Sequence, residues 1–282
     1  MNIFSRKQDV PKSQAELIYE AQAHKERQFR VNVGISWFIL LFILVFTFSG
    51  QDLTIGSKTF SGIQIDTAFM ANNLSFIAGG LGETIKISLM SIALAMILAL
   101  LAALGRLSTL PPVYALSTFY VSLIRGTPLY LQIFFFFLAL PQLGIRLPGI
   151  IAGVLALGLN YGAYMSEIFR AALSSVGKGQ REAAMAIGMT PTQTMRRIIL
   201  PQALRFAIPP VGNEFIAMTK DSALVSATGF VHELMWRSVK VGRAQFHTLE
   251  ALIMAAIFYW VMTLILSYVQ SIVETRLAKG DR

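Results

Sequence analysis

Residues 249–272 read LEALIMAAIFYWVMTLILSYVQSI. Glu250 stands near the start, and no further charge follows until Glu274. An apolar run of roughly 20 residues matches the hydrocarbon thickness of a bilayer, so this stretch predicts a membrane-spanning helix. The same pattern recurs upstream. Runs over 31–49, 83–105, 120–140, 149–170 and 207–230 predict five more spans, the last interrupted by Lys220-Asp221-Ser222. The expected fold is an all-α polytopic membrane protein of one domain. A polar N-terminal extension (1–30, whose residues 13–30 suit a surface helix) precedes a first span at 31–49. The segment 50–80 reads as an external loop, and 81–282 as the main transmembrane domain.

Composition agrees with these runs. The 282-residue chain is 55% hydrophobic and only 14% charged, against roughly a quarter charged in soluble domains. Lipid must therefore solvate much of its surface. The absence of cysteine excludes a disulfide framework, thiolate metal ligands and a cysteine nucleophile. Three scattered histidines (His24, His232, His247) make a histidine-built metal site improbable, and no cofactor motif is present. The N-terminus does not read as a secretory signal, because its basic region is long and no small-residue cleavage site follows the first apolar run.

The net charge of +9 could point to nucleic acid, but its distribution points to topology. Lys and Arg flank the apolar runs, whereas nucleic-acid binding would gather them on one soluble module. The N-terminal segment, the 105–125 connection, the 170–206 loop and the tail hold seventeen basic residues, and the segments expected on the opposite side hold five. That bias orients both termini and the 170–206 loop toward the cytoplasm of a plasma membrane.

The 170–206 loop is the most informative polar stretch. Residues 179–210 read GQREAAMAIGMTPTQTMRRIILPQALRFAIPP. Ser174 to about Ile187 favours helix, Gly188 can end it, and Thr190-Pro191 can cap and start a second helix over 191–199. Two short helices meeting at a glycine form an angular knob. Such a knob suits a groove on a partner, with Ala183, Ala184, Met185 and Ile187 as its packing face. Composition alone favours an ordinary basic loop that enforces topology.

Glu182-Ala183-Ala184, three residues, Gly188, nine residues, then Ile198, one residue and Leu200-Pro201 resembles the EAA loop of bacterial ABC importer permeases at every fixed position. From about Gly82 onward the chain is similar to the polar amino acid permeases of that family. The similarity is carried by Gly82-x-Thr84, Arg125-Gly126-Thr127-Pro128-Leu129, Ala163-Tyr164-x-x-Glu167-x-x-Arg170, Gly179-Gln180 and Lys220-Asp221-Ser222-x-Leu224.

The resemblance implies a type I importer fold with five core spans, so that 1–49 is an addition. It implies that the chain is a permease subunit in a bacterial inner membrane. Its partners would be cytoplasmic ABC ATPase subunits, a second permease copy or sister permease, and an external solute-binding protein. Glu182, Ala183, Ala184 and Gly188 would seat in the ATPase and convey its closure to the membrane part. The chain lacks GxxxxGK[ST], so it has no phosphate cradle of its own and reads as a transport subunit without catalytic residues.

Intramembrane polar groups are the candidate substrate contacts. Glu83 and Lys86, three residues apart, could pair or could leave Glu83 to meet substrate. Asn160, Tyr164 and Glu167 share one face of the fourth span, where Gly158 and Gly162 would let another helix approach. That stripe could line a path or simply pack, while Glu167 and Arg170 suit an interfacial salt bridge. Asn213, Glu214 and Lys220-Asp221-Ser222 break the fifth segment, either as path groups of both signs for a zwitterion or around an internal Lys220–Asp221 pair. Pro128 suits a first helical turn with Thr127 as its cap. An ion-gradient-driven transporter or channel would need more intramembrane carboxylates and inverted repeats. An intramembrane enzyme would need a nucleophile motif that Lys220-Asp221-Ser222 does not supply.

Overall fold

The computed structural model describes residues 14–278; the start of the expected N-terminal extension and residues 279–282 of the tail lie outside the described residues. The chain divides into two compact units at Asp66 and Thr67.

The first unit opens with helix α1 (Gln14–Thr47). The expected surface helix and first span are one continuous helix, because no Gly or Pro falls between Gln14 and Val33 to end a turn at their junction. Its side chains from Val31 to Val45 are exposed on all sides. A helix apolar all round needs lipid or another protein surface to cover it. Strands β1 (Asp52–Ile55) and β2 (Lys58–Ser61) then form an antiparallel hairpin with Ile55 opposite Lys58. Gly56 takes the left-handed turn conformation (φ 63°) that a two-residue hairpin loop requires. This hairpin is the one departure from all-α structure among the described residues.

The second unit begins with α2 (Thr67–Ala78), so the segment expected to be loop up to residue 80 is helical in its second half. Phe69, Asn73 and Ile77 are buried at helical spacing on one face of α2. Helix α3 (Gly80–Gly105) continues the run, and residues 67–105 together are long and apolar enough to cross a membrane. Helices α6 (Gly149–Ser175) and α11 (Thr248–Ala278) meet the same test, as does residue range 22–47 of α1.

The expected third span over 120–140 is a bent pair instead. Helix α4 (Pro111–Arg125) and helix α5 (Leu129–Phe134, continued by π and 3-10 turns to Leu143) meet at 103°. Pro128 has no N–H to donate and forces Thr127 away from helical geometry, so the helix must break there. Thr127 does not cap α5. Its hydroxyl donates back to the carbonyls of Leu123 and Ile124 at the end of α4.

The fourth and fifth elements are joined by α7 (Lys178–Ala186) and α8 (Pro191–Thr194), after which a π turn over Met195–Ile199 leads into α9 (Leu200–Asp221). The fifth segment is thus one helix reaching far upstream of residue 207. Pro209 and Pro210 lie inside it. Gln270 of α11 donates to the Pro209 carbonyl at 3.1 Å, one way in which a neighbouring helix supports a proline-bearing span. A 3-10 stretch (Ser222–Thr228) leads to α10 (Leu234–Ala244), and α11 closes the chain.

The core is the contact of α3 with α6. Ala95, Ala99 and Ala103 of α3 and Ala156, Leu157 and Met165 of α6 are all buried. A Cβ on Gly158 would stand 2.6 Å from Leu94 Cδ2, and one on Gly162 2.8 Å from the Tyr120 hydroxyl. Small residues here let the two backbones approach, as expected of packing without a hydrophobic driving force between helices.

Candidate functional site

The break between α4 and α5 opens the wall of a cavity of about 600 Å³. A helix end leaves its last carbonyls without partners. Gln132, buried in α5, meets this need. Its amide donates to the Ile124 and Thr127 carbonyls at 2.8 and 3.1 Å and to Thr127 Oγ1 at 2.9 Å. Its own carbonyl accepts from Asn160 Nδ2 of α6 at 3.2 Å. The corner is therefore held as a rigid shape, with Arg125 presented at its edge.

Three elements line the cavity. The corner supplies Arg125 and Thr127, α6 supplies Asn160, Tyr161 and Tyr164, and α9 supplies Glu214 and Asp221. Glu214 and Asp221 are seven positions apart, two helical turns, so both carboxylates share one face of α9. Tyr161 donates its hydroxyl to Asp221 Oδ2 at 2.8 Å. The Arg125 guanidinium lies 5.1 Å from the Tyr164 ring centroid and 3.3 Å from Glu167 Oε1. Glu167 also binds Arg106, which follows α3, and Arg170 at 2.9 Å. One carboxylate thus gathers three arginines beside the cavity mouth. The chamber offers a cation on one wall and two carboxylates on another, with amide and phenol groups between them.

The residues expected to contact substrate divide into two sets. Asn160, Tyr164 and Asp221 come together on this cavity. Glu83, Asn213, Lys220 and Ser222 lie off it. Glu83 pairs with Lys86 at 3.7 Å on the exposed face of α3. Asn213 accepts from Gln270 at 3.1 Å. Lys220 is exposed on the other side of α9, and no Lys220–Asp221 ion pair forms. Ser222 is fully buried and donates to the Thr219 carbonyl. A lysine beside an aspartate in sequence points about 100° away from it on a helix. Arg125, Thr127 and Tyr161 line the cavity without having been expected to contact substrate, and Glu214, one of the polar groups that interrupt the fifth segment, joins Asp221 there. The spacing of Glu214 and Asp221, two helical turns apart, is the sequence signal that separates these two from Asn213, Lys220 and Ser222.

The loop between α6 and α9 folds as an angular knob. Gly188 ends α7 with φ 81°, and Met189 N donates to the Ala184 carbonyl at 3.0 Å. Thr190 and Gln193 form a reciprocal capping box at the start of α8. Glu182 and Ala183 are exposed, and Met185 and Ile187 project with 59% and 77% of their surfaces free. Ala184 departs from the expected packing face. It is buried within this chain, because α7 lies against the π turn at 195–199.

Comparison with known proteins gives consistent likenesses. Residues 95–279 match the model of a family described as binding-protein-dependent transport system inner membrane component. The arginine transport system permease protein ArtQ of Bacillus subtilis (strain 168) is 38% identical over 220 residues, covering 78% of this chain and 100% of that protein. The L-cystine transport system permease protein TcyB of the same organism is 43% identical over 202 residues, covering 71% of this chain and 86% of that protein. A crystal structure of an amino acid ABC transporter with histidines superimposes with a TM-score of 0.72 at 36% identity, over 76% of this chain and 100% of that one. An inward-facing form of the MetNI methionine ABC transporter shares the fold, with a TM-score of 0.64 at 17% identity over 73% of this chain and 98% of that one.

Proposed function

This chain belongs to the family of binding-protein-dependent transport system inner membrane components, the permeases of amino acid ABC importers, and from that premise we propose that it forms the translocation path for a polar amino acid and couples that path to a separate ATPase. The observation that carries the proposal is the cavity, where Arg125 faces a chamber also lined by Glu214 and Asp221. An α-amino acid bears one carboxylate and one ammonium. Arg125 suits the first, since a guanidinium matches carboxylate geometry, and the α9 carboxylates suit the second. Asn160 and Tyr164 add neutral hydrogen-bonding capacity for the side chain.

The coupling element is the knob between α6 and α9. Glu182, Ala183 and Gly188 lie on its outer surface, joined by Met185 and Ile187, and the buried Ala184 fixes α7 from behind. Because α9 runs from this knob to Asp221 without a loop, displacement of the knob would reach the cavity wall through a stiff rod. ATP-driven closure of the ATPase subunits would thereby switch access to the chamber. The chain sits in a bacterial inner membrane with both termini and the knob on the cytoplasmic side, and it works with a second permease copy or sister permease.

The test is reconstitution of the permease with its ATPase and binding protein in proteoliposomes, followed by uptake of a panel of labelled amino acids. ATP-dependent accumulation of a polar amino acid, lost in Arg125→Ala and Asp221→Ala, is expected. Accumulation driven by an ion gradient without the ATPase would replace the reading with that of a secondary transporter.

A further inference from the structure

Helix α10 lies at the opposite end of the bundle from the coupling knob. A Cβ on Gly80, at the start of α3, would touch Leu234 at 2.6 Å, and one on Gly149, at the start of α6, would touch Phe230 at 2.8 Å. The other ends of these helices meet through Arg106 and Glu167, next to the knob. Helix α3 spans about 39 Å at 1.5 Å per residue, enough to separate the two faces of a membrane. Given the proposed function, on which this inference rests, α10 is external.

Its charge runs against topology. Five basic residues fall in the segments on that side, and Arg237, Lys240 and Arg243 place three of them within residues 237–243. Basic residues are normally concentrated on the cytoplasmic side, so this cluster needs another cause. Both carboxylates of the segment, Glu233 and Glu250, are buried. Arg237 is committed internally, donating to the His232 and Phe76 carbonyls. Lys240 and Arg243 are exposed and, with Trp236, line a recess of about 620 Å³ against Ser226–Gly229. The Lys240 ammonium sits 4.6 Å from the Trp236 ring centroid, and Trp236 stacks on His232 at 3.8 Å.

A second observation lies at the end of the same helix. Phe246 holds the left-handed corner after α10 (φ 59°), where glycine is the low-strain residue, and 94% of its surface is exposed. The corner is fastened on both sides. Gln245 N donates to the Val241 carbonyl, His247 N donates to the Gly242 carbonyl, and the His247 ring stacks on Phe69 at 4.7 Å. Strain held in place under a bare aromatic points to function rather than packing.

We propose that Trp236, Lys240, Arg243 and Phe246 form the docking surface for the substrate-binding protein, receiving carboxylates of an acidic patch on the two cations and an apolar contact on Phe246. The family's transport is binding-protein-dependent, and the cationic patch selects an acidic partner. An anionic lipid surface is the other source of negative charge, but its potential is concentrated on the cytoplasmic leaflet. The recess adjoins residues 222–229, which follow directly from Asp221, so a docked protein would bear on the segment leading to the cavity.

The experiment is binding-protein-stimulated ATP hydrolysis by the reconstituted permease–ATPase complex in nanodiscs, titrated with the binding protein at low and high salt. In zwitterionic lipid, wild type is expected to lose apparent affinity as salt rises. The double variant Lys240→Glu/Arg243→Glu should need at least about tenfold more binding protein and lose the salt dependence. Phe246→Gly, which relieves the backbone strain and so does not threaten folding, should also raise the half-saturating concentration. Unchanged titrations for both variants would overturn the assignment while leaving the permease function intact. A defect seen only in nanodiscs containing anionic lipid would overturn it in favour of a lipid site. Wild type that hydrolyses ATP without any response to the binding protein would remove the importer reading itself.

Discussion

Tyr161 Oη stands 2.8 Å from Asp221 Oδ2, and this bond ties the middle of α6 to the end of α9 across the cavity wall. Tyr161 is buried while Asp221 is half-buried and borders the chamber. The phenol therefore orients a carboxylate that remains open to a ligand on its other side. Replacing Tyr161 with Phe keeps the ring and deletes the donor. The expected cost to stability is about 1 kcal/mol, as for a single hydrogen bond to a partly solvated partner. Uptake should show a several-fold rise in half-saturating substrate with normal capture of the ATPase. Transport kinetics identical to wild type would mean that Asp221 needs no orientation.

The ion cluster around Glu167 makes an ordered prediction. Arg106 is its least exposed arginine, at 21% side-chain exposure against 42% for Arg125 and Arg170. Exposed pairs contribute little and partly buried ones more. Arg106→Ala should therefore lower the thermal midpoint more than Arg170→Ala, which removes only a pair within one helix. Arg125→Ala should change stability little and uptake strongly, because that guanidinium also borders the cavity. A thermal ranking with Arg170→Ala as the most damaging change would contradict this order.

Much of this was legible from periodicity and punctuation. The long apolar runs, the glycine face of α6 at Gly158 and Gly162, and the turn chemistry of Gly188 and Thr190-Pro191 are local signals, and each formed as its residues dictate. The corner at Pro128 was half legible, because the proline marks a helix start there, but composition does not distinguish a single span over 120–140 from two helices meeting at 103°. The cavity was only half legible. Asn160 and Tyr164 share a face of one helix, which spacing reveals. Arg125 joins them through the three-dimensional corner held by Gln132, and no spacing rule connects residues 125, 132 and 160. Lys220 and Asp221 are adjacent in sequence, yet helical geometry sends them to different surroundings.

Gly188 offers a clean separation of backbone from side-chain effects. Its φ of 81° is left-handed, and a Cβ there would meet nothing within 4 Å. The penalty for another residue is thus conformational, about 1 kcal/mol for most L residues and less for Asn. Gly188→Val should distort the corner between α7 and α8 and abolish co-purification with the ATPase. Gly188→Asn should retain it. Glu182→Arg, which leaves the backbone alone, should lose capture through charge. Retention of the ATPase by both the valine and the arginine variants would exclude this knob as the coupling element.

Glu233 yields a pH dependence whose sign is fixed. It lies between the fifth segment and the last span, fully buried, and caps α10 by accepting from Met235 N at 2.9 Å and Trp236 N at 2.7 Å. The Tyr259 hydroxyl at 2.7 Å and the Thr84 hydroxyl at 3.5 Å complete its partners, so α3, α10 and α11 meet on one carboxyl. Burial pushes its pKa above the ordinary glutamate value of 4.5, and the donors from Tyr259, Met235, Trp236 and Thr84 pull downward without reversing the shift. A carboxyl raised on folding adds its full stability below the unfolded pKa and loses it as pH climbs through the folded one. Glu233→Gln removes this titration and sets an amide against a backbone donor, at a cost of about 1–3 kcal/mol. The advantage of wild type over Glu233→Gln should therefore be largest in acid and narrow as pH rises above the usual glutamate range. Thermal unfolding of both proteins across that range measures the gap. A gap that widens with pH would mean that the four donors outweigh burial and that the carboxylate is held ionised.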